Sequence, residues 1–362
     1  MKYGKSMILM ALTLIIVMVF AAGCGGTTPP AEQKQSEQKP AEEKKPEKKV
    51  YTIKLGHSNQ PTMDSIFHQV SLKFKELAEK NSDGQLVVEI YPASQLGSEE
   101  EQVRSTQLGT QQMVVVGMNN LNPSVPQLGF FTLPYIFEST EEGRKVIDTM
   151  WDQINKWSVE EGGVRILSLM DAGFRELTNS KKPVKTLEDL QDLRVRVPQN
   201  PIQMGVYKAW GVNPIPVAWS ETFNALQQKV VDAQDNPYTV FVSEKFYEVQ
   251  KYVTEIGYIF QTSTIVMSED FFSKLPADLQ QVVVKAGKET MEFERQLSDS
   301  SLEKDKKTLE EKGMILLGPP EDKPIWVEKG RSIWPEFYEL IGKGDKAKGK
   351  EIIDLVESYK KK

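Results

Sequence analysis

From Tyr51 onward the chain switches repeatedly between two hydrophobic periods, and this switching limits its possible folds more than any other feature. "YTIKLGHS" places apolar residues at every second position, which predicts a strand over 51–56. "DSIFHQVSLKFKELAEKNSDG" changes to helical spacing, with Ile66, Phe67, Val70, Phe74 and Leu77 on one side and a stop at Asn81–Gly84. "QLVVEIYP" returns as a strand. "GSEEEQVRSTQLG" starts a helix with Ser98 and Glu101 in a capping-box arrangement. "QQMVVVG" reads as a third, buried strand. Strand–helix–strand–helix–strand predicts a mixed or parallel sheet with helices on its faces.

A second series opens after Gly163. "VRILSLM" and "RVRVP" read as strands, "NPIQMGVYKAWG" as a helix stopped at Gly211, and "VNPIPVAW" as extended chain. Ser220 is placed to cap the helix in "SETFNALQQKV", and "VVDAQDNP" returns as strand and loop. From Pro276 one helical pattern runs for roughly 35 residues, about 50 Å of helix. That exceeds one small domain, so the helix is expected to cross two. "MILLGPP" is a late strand, and "IWPEFYELIG" and "GKEIIDLVESYKKK" are terminal helices. The expected fold class is α/β: two lobes around a ligand cleft, hinge strands between them, and a long helix spanning both. The expected boundaries are 51–172 with 262–301 for the first lobe and 173–261 with 302–362 for the second.

The start of the chain is of another kind. Lys2 and Lys5 precede an almost unbroken apolar run from Met7 to Phe20, closed by Ala21, Ala22 and Gly23. This is the layout of an export signal over 1–23, and its apolar run falls short of the ~20 residues a membrane span needs. Cys24 is the only cysteine, which rules out a disulfide within the chain. "AAGC" resembles a bacterial lipobox, with Ala21 where leucine is commoner. The resemblance implies cleavage before Cys24, lipidation of its sulfur, and anchoring as a lipoprotein on the outer, extracytoplasmic face of the membrane. Residues 25–50 hold Glu, Lys, Gln and Pro, no aromatic side chain before Tyr51, and too little apolar surface for a core. A disordered tether over 24–50 is expected. The remaining stretch of about 310 residues suits two domains. A net charge of −6 with interleaved signs gives no basic face for nucleic acid.

"DLRVRVPQN" carries the chemistry. It sets Arg194 and Arg196 in a run that otherwise reads as a buried strand, where an unpaired guanidinium costs several kcal/mol. Strand period puts both on one face, and spacing leaves open which of them meets a ligand and which pairs with an acid such as Glu188 or Asp189. No nucleophile elbow or phosphate loop is present. The two histidines, His57 and His68, stand eleven positions apart, a poor spacing for a two-histidine metal site. These readings point away from an enzyme, and no metal is expected.

Residues 51 to about 348 resemble the solute-binding subunit of tripartite ATP-independent (TRAP) transporters, of the DctP type. "YPASQLGSEEEQV", "FTLPYIF", "GFRELTNSKKPVKTLEDLQDLRVRVP", "GVNPIPVAWSETFNALQQKVVDAQDNP" and "KFYEVQKYVT" carry the resemblance, in that family's order and spacing. It implies that Arg196 clamps the carboxylate of a bound solute through two parallel N–H donors. It also implies that Arg175 supports that carboxylate or pairs with a nearby acid, and that the Asn236 amide hydrogen-bonds it. Asn236 also suits the turn before Pro237. Trp219 would pack on the solute's carbon skeleton. His57 follows the first strand and Asn119 and Asn120 the third, at the sheet edge where such clefts lie. They are candidates for the solute's hydroxyls, or for loop backbone and turns. The expected solute is an organic acid anion, a sugar acid such as a uronate or aldonate, with a four-carbon dicarboxylate as runner-up. Expected partners are the small and large permease subunits, and the membrane through the lipid anchor. A ligand-sensing partner of a membrane receptor would use the same cleft. The family needs no cofactor.

Overall fold

The computed structural model describes residues 48–360. Cys24, the export signal and most of the tether lie outside the described residues. The first series builds β1 (Tyr51–His57), α1 (Ile66–Asn81), β2 (Leu86–Tyr91), α2 (Glu99–Gln107), β3 (Met113–Gly117), α3 (Thr140–Gly162) and β4 (Val164–Phe174). Ser65 caps α1 by accepting from the His68 N–H, and the Ser98–Glu101 capping box starts α2. The second series is β5 (Glu176–Asn179), β6 (Val195–Val197), α4 (Pro201–Ala209), β7 (Ile215–Pro216), α5 (Trp219–Gln227), β8 (Ala233–Asn236), α6 (Tyr238–Ser243) and β9 (Tyr252–Thr254). Then follow β10 (Phe260–Ser268), α7 (Glu269–Ser273), α8 (Ala277–Glu311), β11 (Ile315–Leu316), α9 (Lys323–Ser332), α10 (Trp334–Ile341) and α11 (Lys346–Lys360).

Two sheets result. The first has the order β2-β1-β3-β10-β4, with β1 parallel to β2 and β3, and β10 antiparallel to both its neighbours. The second has the order β11-β9-β5-β8-β6-β7. Side chains alternate across the first sheet: Met113 and Val115 face a core shared with Val70 and Phe74 of α1, while Val114 and Val116 face one shared with Val146 and Ile147 of α3.

The chain passes between the sheets in two neighbouring places. β4 runs into β5 through Arg175 alone, and residues 255–259 carry β9 into β10. The Arg175 N–H donates to the Ile259 carbonyl, 2.9 Å, and ties the two crossings together. Helix α8 is the long helix expected from Pro276, 35 residues long. Its first half packs on the first sheet through Leu279 and Val283, and near its end Leu309 joins the core of the second.

Three expectations change. The second series opens in sequence after Gly163, but β4 belongs to the first sheet, because it pairs with β10 over almost its whole length. The terminal helices do not all stay with the second lobe. Ile341, Ile352, Ile353 and Val356 bury themselves in the α3 core of the first, whereas Trp326 of α9 packs in the second. Ser220 is not a cap: α5 starts at Trp219, two residues earlier than a cap at Ser220 requires, with Ala218 in the capping position and no side-chain cap.

Candidate functional site

The two crossings form the base of a cleft between the sheets, and the cleft holds a cavity of about 710 Å³ including its open mouth. The second sheet contributes Arg196, Pro198, Trp219 and Asn236. The first contributes Asn59, Phe67, Glu99, Gly117 and Asn119. Arg175, Asp171, Gln261 and Ser263 come from the crossing strands, and Glu294 from α8.

Arg196 sits in β6 between Val195 and Val197, whose side chains enter the core on the opposite face. It is 3 % exposed. Its Nε and Nη2 both donate to the Val217 carbonyl, at 3.0 and 2.7 Å, and its guanidinium lies 5.7 Å from the centre of the Trp219 ring. No carboxylate among the described residues closes on it, and Nη1 makes no hydrogen bond to any of them. Burial, reinforced by the neighbouring Arg175 charge, lowers its pKa to about 10, so it stays cationic at neutral pH. Arg194, two residues back, differs. It is half exposed and grips Asp232 with Nε and Nη2 at 2.9 and 2.7 Å. The acid that Arg194 takes is therefore Asp232, not Glu188 or Asp189.

Arg175 lines the cavity with its charge already met. It pairs with the Asp235 carboxylate, and its Nη1 donates to Gln261 Oε1 at 2.7 Å. Asp235 also accepts from the Tyr207 and Tyr258 hydroxyls, each at 2.9 Å, so this buried network is satisfied within the protein. Asn236 closes β8 with its Nδ2 donating to Gln234 Oε1, 2.7 Å. Trp219 is half-buried and packs against Phe246 with the rings tilted by 60° and 5.8 Å between their centres.

The other wall departs from expectation. His57 is fully buried and does not line the cavity; its Nε2 lies 3.3 Å from His68 Nδ1. Burial, then the His68 charge, pushes its pKa down to about 4, which leaves it neutral. The strand end that should have presented His57 turns it inward, and Asn59 two residues on reaches the cleft instead. The eleven-residue spacing that argued against a histidine pair still brings the rings together, because α1 folds back over β1. Among the described residues, no group of three or more His, Cys, Asp or Glu could hold a metal. Asn119 lines the cavity and Asn120 does not: its Nδ2 donates to Glu99 Oε2 at 2.8 Å, while Ser58 donates to Oε1 at 2.9 Å. Glu99, at the first position of α2, was absent from the sequence candidates because its neighbours read as a capping box. Its signal was its place, just after β2 at the edge of the sheet where clefts form. Burial raises its pKa to about 6, against the pull of the hydrogen bond from Ser58.

Residues 55–340 match the family model described as bacterial extracellular solute-binding protein, family 7. The 2,3-diketo-L-gulonate-binding periplasmic protein of Escherichia coli strain K12 is 28 % identical over 293 residues, 81 % of this chain and 89 % of that one. Two solved TRAP periplasmic solute-binding proteins superpose with a TM-score of 0.78. One, from Haemophilus influenzae with bound L-gulonate, is 29 % identical and covers 85 % of this chain and 99 % of its own. The other, from Sulfurospirillum deleyianum with bound succinate, is 30 % identical and covers 86 % and 99 %.

Proposed function

The chain belongs to the bacterial extracellular solute-binding proteins of family 7, the DctP type that serves TRAP transporters, and on that premise we propose that it captures a sugar acid anion and delivers it to the membrane permease subunits. One observation carries the reading: Arg196 is buried at the cavity wall as a cation, and no acid among the described residues forms an ion pair with it. A guanidinium left in this state is stabilised by an arriving carboxylate, which accepts two parallel N–H bonds. Arg175, whose charge Asp235 already meets, lines the cavity near the clamp. Asn236 offers the amide beside the clamp, and Trp219 offers an apolar face to the carbon chain.

The opposite wall favours a hydroxylated solute over a dicarboxylate. Asn59 and Asn119 can donate to or accept from hydroxyls, and Glu99 accepts from them. A second carboxylate there would meet Glu99, which is mostly ionised at neutral pH. The protein works by binding and release, with no bond made or broken in the solute. The "AAGC" sequence supports a lipid anchor at Cys24, which keeps the domain at the membrane beside its permease.

Thermal melting of the purified protein against uronates, aldonates, four-carbon dicarboxylates and neutral sugars tests the reading. A ligand at about a hundred times its dissociation constant adds about 2.7 kcal/mol, several degrees for a chain of this size. A sugar acid is expected to raise the melting point and its neutral sugar to leave it unchanged. Equal response to acid and neutral sugar would overturn the carboxylate clamp.

A further inference from the structure

Helix α8 breaks its own pattern at the cavity. Its buried stripe runs Leu279, Val283, Ala286, Gly287, Thr290, Met291, and the next buried position is Glu294. The stripe has to face β4 closely: a Cβ on Gly287 would stand 2.4 Å from the Leu167 carbonyl oxygen. Two turns further along, the same face delivers Glu294 against Asp171 on the strand. An apolar side chain would continue the stripe there. Glu294 is instead a fully buried carboxyl, at 0 % exposure, and it lines the cavity.

The protein uses only half of this group. Glu294 Oε2 accepts from the Asp171 backbone N–H at 3.2 Å, while Oε1 is buried with no partner among the described residues. The nearby charges are Asp171, Arg144 and Arg295. Asp171 is held by Arg144 at 2.7 Å and Arg295 by Asp148 at 2.6 Å, so neither arginine pairs with Glu294. Burial, then the Asp171 charge, raises the carboxyl's pKa well above the ordinary carboxylate range, which favours the protonated form. A neutral carboxylic acid has one O–H to donate, and the only unfilled oxygen is Oε1.

We propose that Glu294 is a solute-selecting residue, whose Oε1 hydroxyl donates to a hydroxyl or carbonyl oxygen of the solute away from the Arg196 clamp. The inference rests on the organic-acid reading of the cavity and adds a second requirement to it. The solute must carry an uncharged oxygen that reaches the base of the cleft, where β4, β10 and α8 meet. A plain alkyl acid of equal length would leave Oε1 unpaired.

The test is a cycle between side chain and solute. Dissociation constants are measured for L-gulonate, D-galactonate and D-erythronate and for the monodeoxy derivatives of whichever binds, on the wild type, Glu294→Gln and Glu294→Met. In the wild type, removal of one particular hydroxyl is expected to cost about tenfold or more, the worth of one buried hydrogen bond. In Glu294→Met that penalty disappears. In Glu294→Gln it persists, because the amide can accept from Asp171 N–H and donate to the solute. Identical deoxy penalties in Glu294→Met and wild type would overturn the proposal, whether or not all affinities fall together, since a merely structural role moves every ligand alike. Failure of the wild type to bind any of the three acids or any uronate or aldonate of the thermal panel would overturn the sugar-acid reading and this inference with it, and that outcome is seen before any variant is made.

Discussion

Arg194 and Arg196 have the same chemistry and the same strand face, yet the structure gives them opposite situations. Arg194 reaches an acid at the rim, and Arg196 reaches a carbonyl at the cavity wall. Arg196→Met should lower affinity for the acid at least about a hundredfold, the loss of two charge-assisted hydrogen bonds at ~1.5 kcal/mol each. The same change removes a buried, uncompensated charge, so the solute-free variant should melt no lower than wild type. Arg194→Ala should leave affinity within about twofold, because its charge is spent on Asp232. Calorimetric titration and thermal melts of the two variants separate these outcomes; equal loss in both would sink the assignment. Glu99 offers a second check. With its charge removed in Glu99→Gln, succinate should bind about five- to tenfold better at pH 7.5, the scale of one like-charge contact in a partly screened site. The arginine strand was legible in the sequence because charge inside an apolar run is conspicuous. Glu99 was not, because three successive glutamates at a helix start are the ordinary complement to its dipole, and only the fold shows that the first of them turns into the cleft.

At the level of elements, period and caps gave most of the order: β1, α1, β2, α2 and β3 all fall where the hydrophobic repeat puts them. The expected lobe boundaries at 172/173 and 261/262 lie close to the two crossings, but the exact pivot was less visible. Nothing local marks Arg175 as the single residue between two sheets, since the strands that pair with β4 and β5 lie between 54 and 104 residues away. The crossing also hides a titratable brace. Glu176, 7 % exposed, accepts from the Gly257 N–H with Oε2 at 2.7 Å and so joins one crossing to the other. Burial, with Glu255 adding to it and the Gly257 N–H opposing it, raises its pKa from 4.5 to about 8. The sign follows from proton counting. Between pH 4.5 and 8 the folded protein keeps a proton that the unfolded chain has released, so stability falls as pH rises through that window, by up to about 1.4 kcal/mol per unit. Above pH 8 the contribution is flat. Melting points should therefore decline from pH 5.5 to 8, and Glu176→Gln, which keeps an acceptor for Gly257, should make the decline shallower. An unchanged slope in that variant would show that Glu176 ionises freely in the folded state.

Across the whole molecule, the two sheets meet at the base of the cleft and again at its mouth. There the Gln60 N–H, in the loop after β1, donates to Glu244 Oε1 just past α6, at 3.1 Å. These residues are 184 positions apart and belong to opposite walls, so the bond exists only while the walls are together. Sequence could not reveal it, because its donor is a backbone group and its acceptor one glutamate among many on helix ends. Enclosing a solute requires such contacts to form after it arrives and to break before it leaves. A contact made only in the closed form slows departure and leaves arrival unaffected. Glu244→Ala removes the acceptor and should speed solute release about fivefold, the kinetic equivalent of one net hydrogen bond of ~1 kcal/mol, with an unchanged association rate. Glu244→Gln keeps an acceptor oxygen and should stay close to wild type. Neither change should move the melting point of the solute-free protein by more than about a degree if the walls part when the cleft is empty, since a contact absent from that state adds nothing to it. Stopped-flow fluorescence can follow Trp219, which lines the cavity, and resolve the two rates. A faster association with unchanged release in Glu244→Ala would mean the opposite arrangement, a mouth held shut before the solute arrives.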